Sequence, residues 1–196
     1  MLALKKHAAV TSESRALVIG SAGFLILGVI AFLLVGREPV ALSGRGSAGD
    51  IAALGTAVLG AAAVVVGSLH GRGLEAPHAP GGSRTRNIID IAALALAHAC
   101  VFLLGWLALF SIFQRAFVGA VLYPLAAAIL VGVTGALSAY IAYLSAVTMN
   151  AYRLAALLAV FLVTGVLTSM LTAADPLWWQ ENLSALGMSS DLSGVA

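Results

Sequence analysis

Asp90 and His98 are ionisable side chains set beside and within the third apolar stretch of this chain, which ends near Arg115. An Asp at the middle of a membrane helix costs about 2.5–3.5 kcal/mol on insertion scales, so ionisable groups at depth are candidates for proton relays or polar-substrate sites. Asp90 lies near the mouth of its stretch, where headgroup water and the positive end of the helix dipole favour a carboxylate. Eight residues carry His98 about 12 Å along the helix from Asp90 and about 80° around it, so the two cannot touch. His98 reads either as a proton carrier or as a neutral imidazole bonded to a neighbouring helix. Thr134, Ser138, Tyr140 and Tyr143 add hydroxyls to the following stretch, where they either line a small polar cavity or make interhelical hydrogen bonds. Asp90, His98, Thr134, Ser138 and Tyr140 together form the candidate intramembrane polar site. No catalytic residue, metal-ligand cluster or cofactor motif stands out, and acid–base chemistry would have only the poorly matched Asp90 and His98 to draw on.

These residues need elements to hold them, and the elements are apolar runs of bilayer length. Ala16 to Val35 is uncharged and closed by Arg15 and Arg37. Its twenty residues rise about 30 Å as a helix, the thickness of a hydrocarbon core. Similar runs follow at Ile51–Leu69, Ile88–Phe113, 116–148 and Leu154–Ala174. The fourth has no charge between Arg115 and Arg153, far more than one perpendicular span requires. It is expected to tilt or to project beyond the bilayer, with Pro124 kinking it near its start. The expected fold is all-α, a polytopic transmembrane bundle of about five spans over residues 1–175, with an interfacial helix and tail over 176–196.

Composition agrees. Hydrophobic residues make up 61% and charged residues 9% of the 196, and the mean hydropathy is +1.05. Soluble domains carry roughly 25% charge, so a water-solvated globule is excluded. A net charge of +2 is too small to point to nucleic acid. Lys5 and Lys6 precede the first run, but that run exceeds the roughly 7–15 residues of a signal-peptide core and ends in Gly-Arg-Glu-Pro. It reads as a retained span. The single cysteine, Cys100, lies in an apolar run and has no partner for an intrachain disulfide.

Basic residues give the direction. With the N-terminus inside, inner segments hold Lys5, Lys6, Arg15, Arg72, Arg84, Arg86 and Arg153, and outer segments hold Arg37, Arg45 and Arg115. The positive-inside rule then places the N-terminus in the cytoplasm and the C-terminus outside, in a plasma (inner) membrane. The loop of residues 70–87 is rich in Gly, Pro, Ser and Arg; Arg72, Arg84 and Arg86 read as a topological anchor near anionic headgroups, with phosphate binding as the alternative.

Ala128, Gly132 and Ala136 recur at four-residue spacing, which lets two helix backbones approach closely. Past the fifth span, Asp175-Pro176 opens and Gly187 closes a segment that places Trp179, Leu183 and Leu186 on one face beside Trp178. This is expected to be a short helix anchored at the membrane interface, or a lid over an outward pocket. The tail 188–196 reads as the opening of a further span. The stretch Trp178-Trp179-Gln180-Glu181-Asn182-Leu183-Ser184-Ala185-Leu186-Gly187 resembles a motif of a bacterial family of polytopic membrane proteins of unknown function. That resemblance covers about the last 40 residues and implies a multi-span helical fold without an assigned reaction.

The leading functional expectation is a non-enzymatic accessory or scaffolding subunit of a membrane assembly, with the lipid bilayer and a protein partner or second copy as its surroundings. A transporter or lipid-handling protein with a site among spans three to five is the alternative, and a membrane enzyme a second one. Topology is directly testable: a cysteine at Ser83, in a chain lacking Cys100, should escape an impermeant thiol reagent in intact cells and react after permeabilisation. Labelling from outside would invert the orientation.

Overall fold

The computed structural model describes residues 2–75 and 84–173. Five helices occupy nearly all of this: α1 (Leu2–Val35), α2 (Ala48–Glu75), α3 (Arg84–Ala116), α4 (Pro124–Val147) and α5 (Ala151–Thr172). Each is long and apolar enough to cross a membrane. The protein is a helical bundle of the multi-pass type. The interfacial segment, with Trp178, Trp179, Leu183 and Leu186, lies outside the described residues.

The fourth span departs from its expected bounds. Residues 117–123 leave the helix, and α4 starts at Pro124 rather than at residue 116. Pro124 is therefore not a kink. It occupies the first helical turn, where its missing N–H breaks no bond and its fixed φ suits the helix. Gly119, at φ 76°, supplies the turn that separates α3 from α4. The uncharged stretch is long because it includes an apolar loop. α3 is correspondingly longer than expected at both ends.

One end of the bundle is tied together by polar contacts. The α1–α2 loop contributes β1 (Val40–Ala41) and the α3–α4 loop β2 (Val121–Leu122), which pair antiparallel with Val40 opposite Leu122. Beside them the Gln114 side-chain oxygen accepts from the backbone N–H groups of Leu42 (3.1 Å) and Ser43 (3.2 Å). Ser47 and Asp50 close the start of α2: the Ser47 hydroxyl accepts from the Asp50 N–H, and the Asp50 carboxylate accepts from the Gly46 N–H. The first bond satisfies a donor that a helix start otherwise leaves open, and the second ties the preceding turn to α2. At the other end, the Asn150 side chain caps α5 by accepting from the Arg153 N–H.

Sequence order is not spatial order. α4 lies between α1 and α2, α2 packs against both α4 and α3, and α5 packs on α3. Small residues make the central contact possible. Between α1 and α4 a Cβ at Gly23 would fall 2.9 Å from the Gly135 carbonyl oxygen, and one at Gly135 would fall 2.8 Å from that of Gly23. The two backbones touch. The Ala128, Gly132 and Ala136 row lies on the same side: Gly28 meets the Ala128 carbonyl, Phe24 covers Gly132, and Gly20 faces the carbonyl of Ala136. With lipid outside, this close van der Waals fit replaces the hydrophobic effect as the force joining helices. Adjoining cores hold Leu27, Ala31, Phe110 and Val131 toward the β1–β2 end and Ala16, Val64, Ala139 and Tyr143 toward the other.

Gly135→Ala should therefore cost about 1–3 kcal/mol, because the added methyl meets backbone that cannot rotate away. Gly105→Ala, whose nearest neighbour would be an ordinary 3.8 Å contact with Thr164, should be close to neutral. Thermal unfolding in detergent compares the two; equal midpoints would refute the α1–α4 contact.

Candidate functional site: polar groups within the bundle

The five residues of the candidate polar site do not meet one another. Each is placed by its own element with its own partner. Asp90 lies near the start of α3 and is exposed. His98 is buried, only 2% exposed, in the middle of the same helix. Its Nδ1 lies 2.9 Å from the Leu94 carbonyl oxygen and its Nε2 lies 3.0 Å from the Ser145 hydroxyl on α4. A carbonyl can only accept, so in the neutral imidazole Nδ1 carries the proton and Nε2 accepts from Ser145.

Ser138 is buried and accepts from the Trp106 indole N–H at 2.9 Å, a second bridge from α3 to α4. Thr134 is buried and returns its hydroxyl to the Val131 carbonyl at 2.7 Å on its own helix. Tyr140 turns away from this group and lines a groove against α1. Tyr143 is buried, and its ring meets His70 of α2 edge-on at 6.0 Å between centroids.

The two α3–α4 bridges fit one antiparallel register. Eight residues separate His98 from Trp106 and seven separate Ser138 from Ser145, nearly equal rises of about 11–12 Å on helices running in opposite directions. Side chains carry this pairing because α2 fills the space behind it. Gly60 of α2 faces the Phe102 ring, which lies between His98 and Trp106 on α3. Ring contacts continue along α3 from His98 to Phe102, and from Trp106 through Phe110 to Phe113 and on to Phe117 just past the helix end.

A third bridge joins α5 to α3. Thr168, the one buried residue of α5, donates to the Leu104 carbonyl at 3.0 Å and also lies 2.7 Å from that of Thr164. Arg115 donates to the Leu171 carbonyl, covering an open acceptor in the last turn of α5. Trp106, Ser145, Gln114 and Thr168 were absent from the sequence-derived set. Trp106 had a readable signal, since an indole N–H within a span needs an acceptor. Ser145 had another, seven residues past Ser138 and so on the same face.

Chemically, the arrangement can hold helices in register. Among the described residues no three His, Cys, Asp or Glu side chains gather where a metal ion could be held. Cys100 is a partly exposed free thiol. A double-mutant cycle on His98→Leu and Ser145→Ala should give a coupling of about 0.5–1.5 kcal/mol, the scale of buried interhelical bonds in membranes. His98→Gln should keep most of that stability, because an amide also donates and accepts. Zero coupling would separate the two side chains.

No protein-family model, curated protein or solved structure matches this chain.

Proposed function

We propose that the protein is an accessory or scaffolding subunit of a membrane assembly, a multi-pass protein of the plasma membrane with a cytoplasmic N-terminus, and that it carries no reaction of its own. The observation that supports this most is the use to which the polar groups of α3, α4 and α5 are put. His98, Ser138, Ser145, Trp106 and Thr168 are each engaged with a neighbouring helix. A transport site among these helices would need such groups to converge on a cargo at mid-membrane. Spent on one another, they instead specify register. The excess of basic residues in the segments on the N-terminal side, Lys5, Lys6, Arg15, Arg72, Arg84, Arg86 and Arg153 against Arg37, Arg45 and Arg115, supports the orientation by the positive-inside rule.

A scaffold also needs surface for its partners, and α5 has it. Tyr152, Leu162 and Val163 are exposed along a helix that has a single buried residue. Extraction from native membranes in mild detergent should yield a defined complex larger than one copy, with a stoichiometric companion or a second copy. His98→Gln should leave the size of that complex unchanged between pH 5.5 and 7.5. A monomer without any companion, or a complex lost in His98→Gln while the subunit itself stays folded, would overturn the scaffold reading.

A further inference from the structure

Among the described residues, the α1–α4 contact leaves a feature that register alone does not explain. A groove of about 610 Å³ runs between α1 and α4 in the half of the bundle away from β1 and β2. Leu17, Leu25 and Leu137 form exposed edges, Gly20 and Ala136 contribute little side chain to it, and Phe24, Ser21 and Tyr140 complete it. It exists because the residues that let α1 and α4 touch leave nothing to fill the surface beside the contact. No charged side chain lines it.

The groove is continuous with surface that faces the bilayer. Leu137 belongs to a row on α4, with Leu125, Ile129, Val133 and Ile141, that is exposed along the whole helix. Ser21 lies ten residues, about 15 Å, inside the apolar stretch that begins at Thr11. Tyr140 lies seven residues, about 10 Å, from the end of α4. Neither hydroxyl has a hydrogen-bond partner among the described residues. A serine can turn its hydroxyl back to its own helix, but a tyrosine is too long to do so. In hydrocarbon there is no water to take its place, so the Tyr140 hydroxyl calls for an acceptor from outside the protein.

We propose that the α1–α4 groove is a binding site for an uncharged glycerolipid of the diacylglycerol class. One acyl chain lies in the trough, and an ester carbonyl accepts from the Tyr140 hydroxyl, with Ser21 as a second donor. The lack of charge in the lining disfavours an ionic headgroup drawn to this depth. The narrow trough between two helices, with its small residues and aliphatic edges, suits a linear chain. The proposal is independent of the scaffolding role, since it uses α1 and the opposite side of α4.

The test uses the full chain in nanodiscs with two photoreactive probes of equal chain length, a diazirine-bearing diacylglycerol and a diazirine-bearing phosphatidylglycerol. Residues 17–25 and 136–140 should be labelled about tenfold more by the first than by the second at equal mole fraction. Tyr140→Phe should lower diacylglycerol labelling about three- to tenfold, the scale of one hydrogen bond, and leave phosphatidylglycerol labelling unchanged. Ser21→Phe, which fills the groove from its exposed side, should abolish it while the thermal midpoint stays within a degree or two. Equal labelling by both probes, indifferent to these variants, would mean ordinary bilayer lipid and overturn the site. Preferential labelling of the same residues by a diazirine prenyl quinone would overturn the glycerolipid class, and a crosslink to a second copy would make the groove a protein interface.

Discussion

In a solvent as apolar as the protein itself, helices gain little by hiding leucine from lipid; they gain by coming close. The contact between Gly23 and Gly135 sets how close. Each glycine faces the other's carbonyl oxygen with no room for a Cβ, so α1 and α4 meet backbone to backbone. Once they do, Phe24 is laid across Gly132, Leu27 of α1 is driven between Gly55 of α2 and Gly135 of α4, and the two buried cores form around small residues. The α1–α4 groove follows from the same choice of residues.

The remainder of the bundle is assembled by another rule. α3 and α4 are joined by long polar side chains reaching past α2, and α5 is held to α3 by one threonine and an arginine-capped end. The molecule thus grades from a tightly fitted side, α1 with α4 and α2, to a lightly held side at α5. Close packing fixes distance on the first side, and directional hydrogen bonds fix register on the second.

Much of this was legible in the sequence, and the part that was not has physical reasons. Five helices follow from hydrocarbon-length apolar runs, which few other structures can satisfy in a membrane. The four-residue spacing of Ala128, Gly132 and Ala136 marked a face suited to close approach but not its neighbour, because Gly20, Gly23 and Gly28 on α1 are spaced irregularly. The loop of residues 117–123 was hidden because it is uncharged and apolar, so hydropathy could not separate it from α4. The polar residues of α3 and α4 were visible as types. Their pairing was not, because it depends on which helices are neighbours, and α4 lies between α1 and α2 rather than beside its sequence neighbours alone. The aromatic segment around Trp178 and Trp179 falls outside the described residues.

The distance along the chain between the two touching glycines has a consequence for how the protein is made. Gly135 is synthesised more than a hundred residues after Gly23. At about 5–20 residues per second, α1 waits on the order of ten seconds in the bilayer before its partner exists. During that interval its glycine row faces lipid or whatever insertion machinery receives it. α2 and α3 cannot take that place in the final arrangement, so they must enter and leave room. Of the five helices described, α1 is therefore made before the others and docks only once α4 arrives. The assembled core is a late product of biogenesis, and a chain truncated before α4 would present an orphaned helix to quality control.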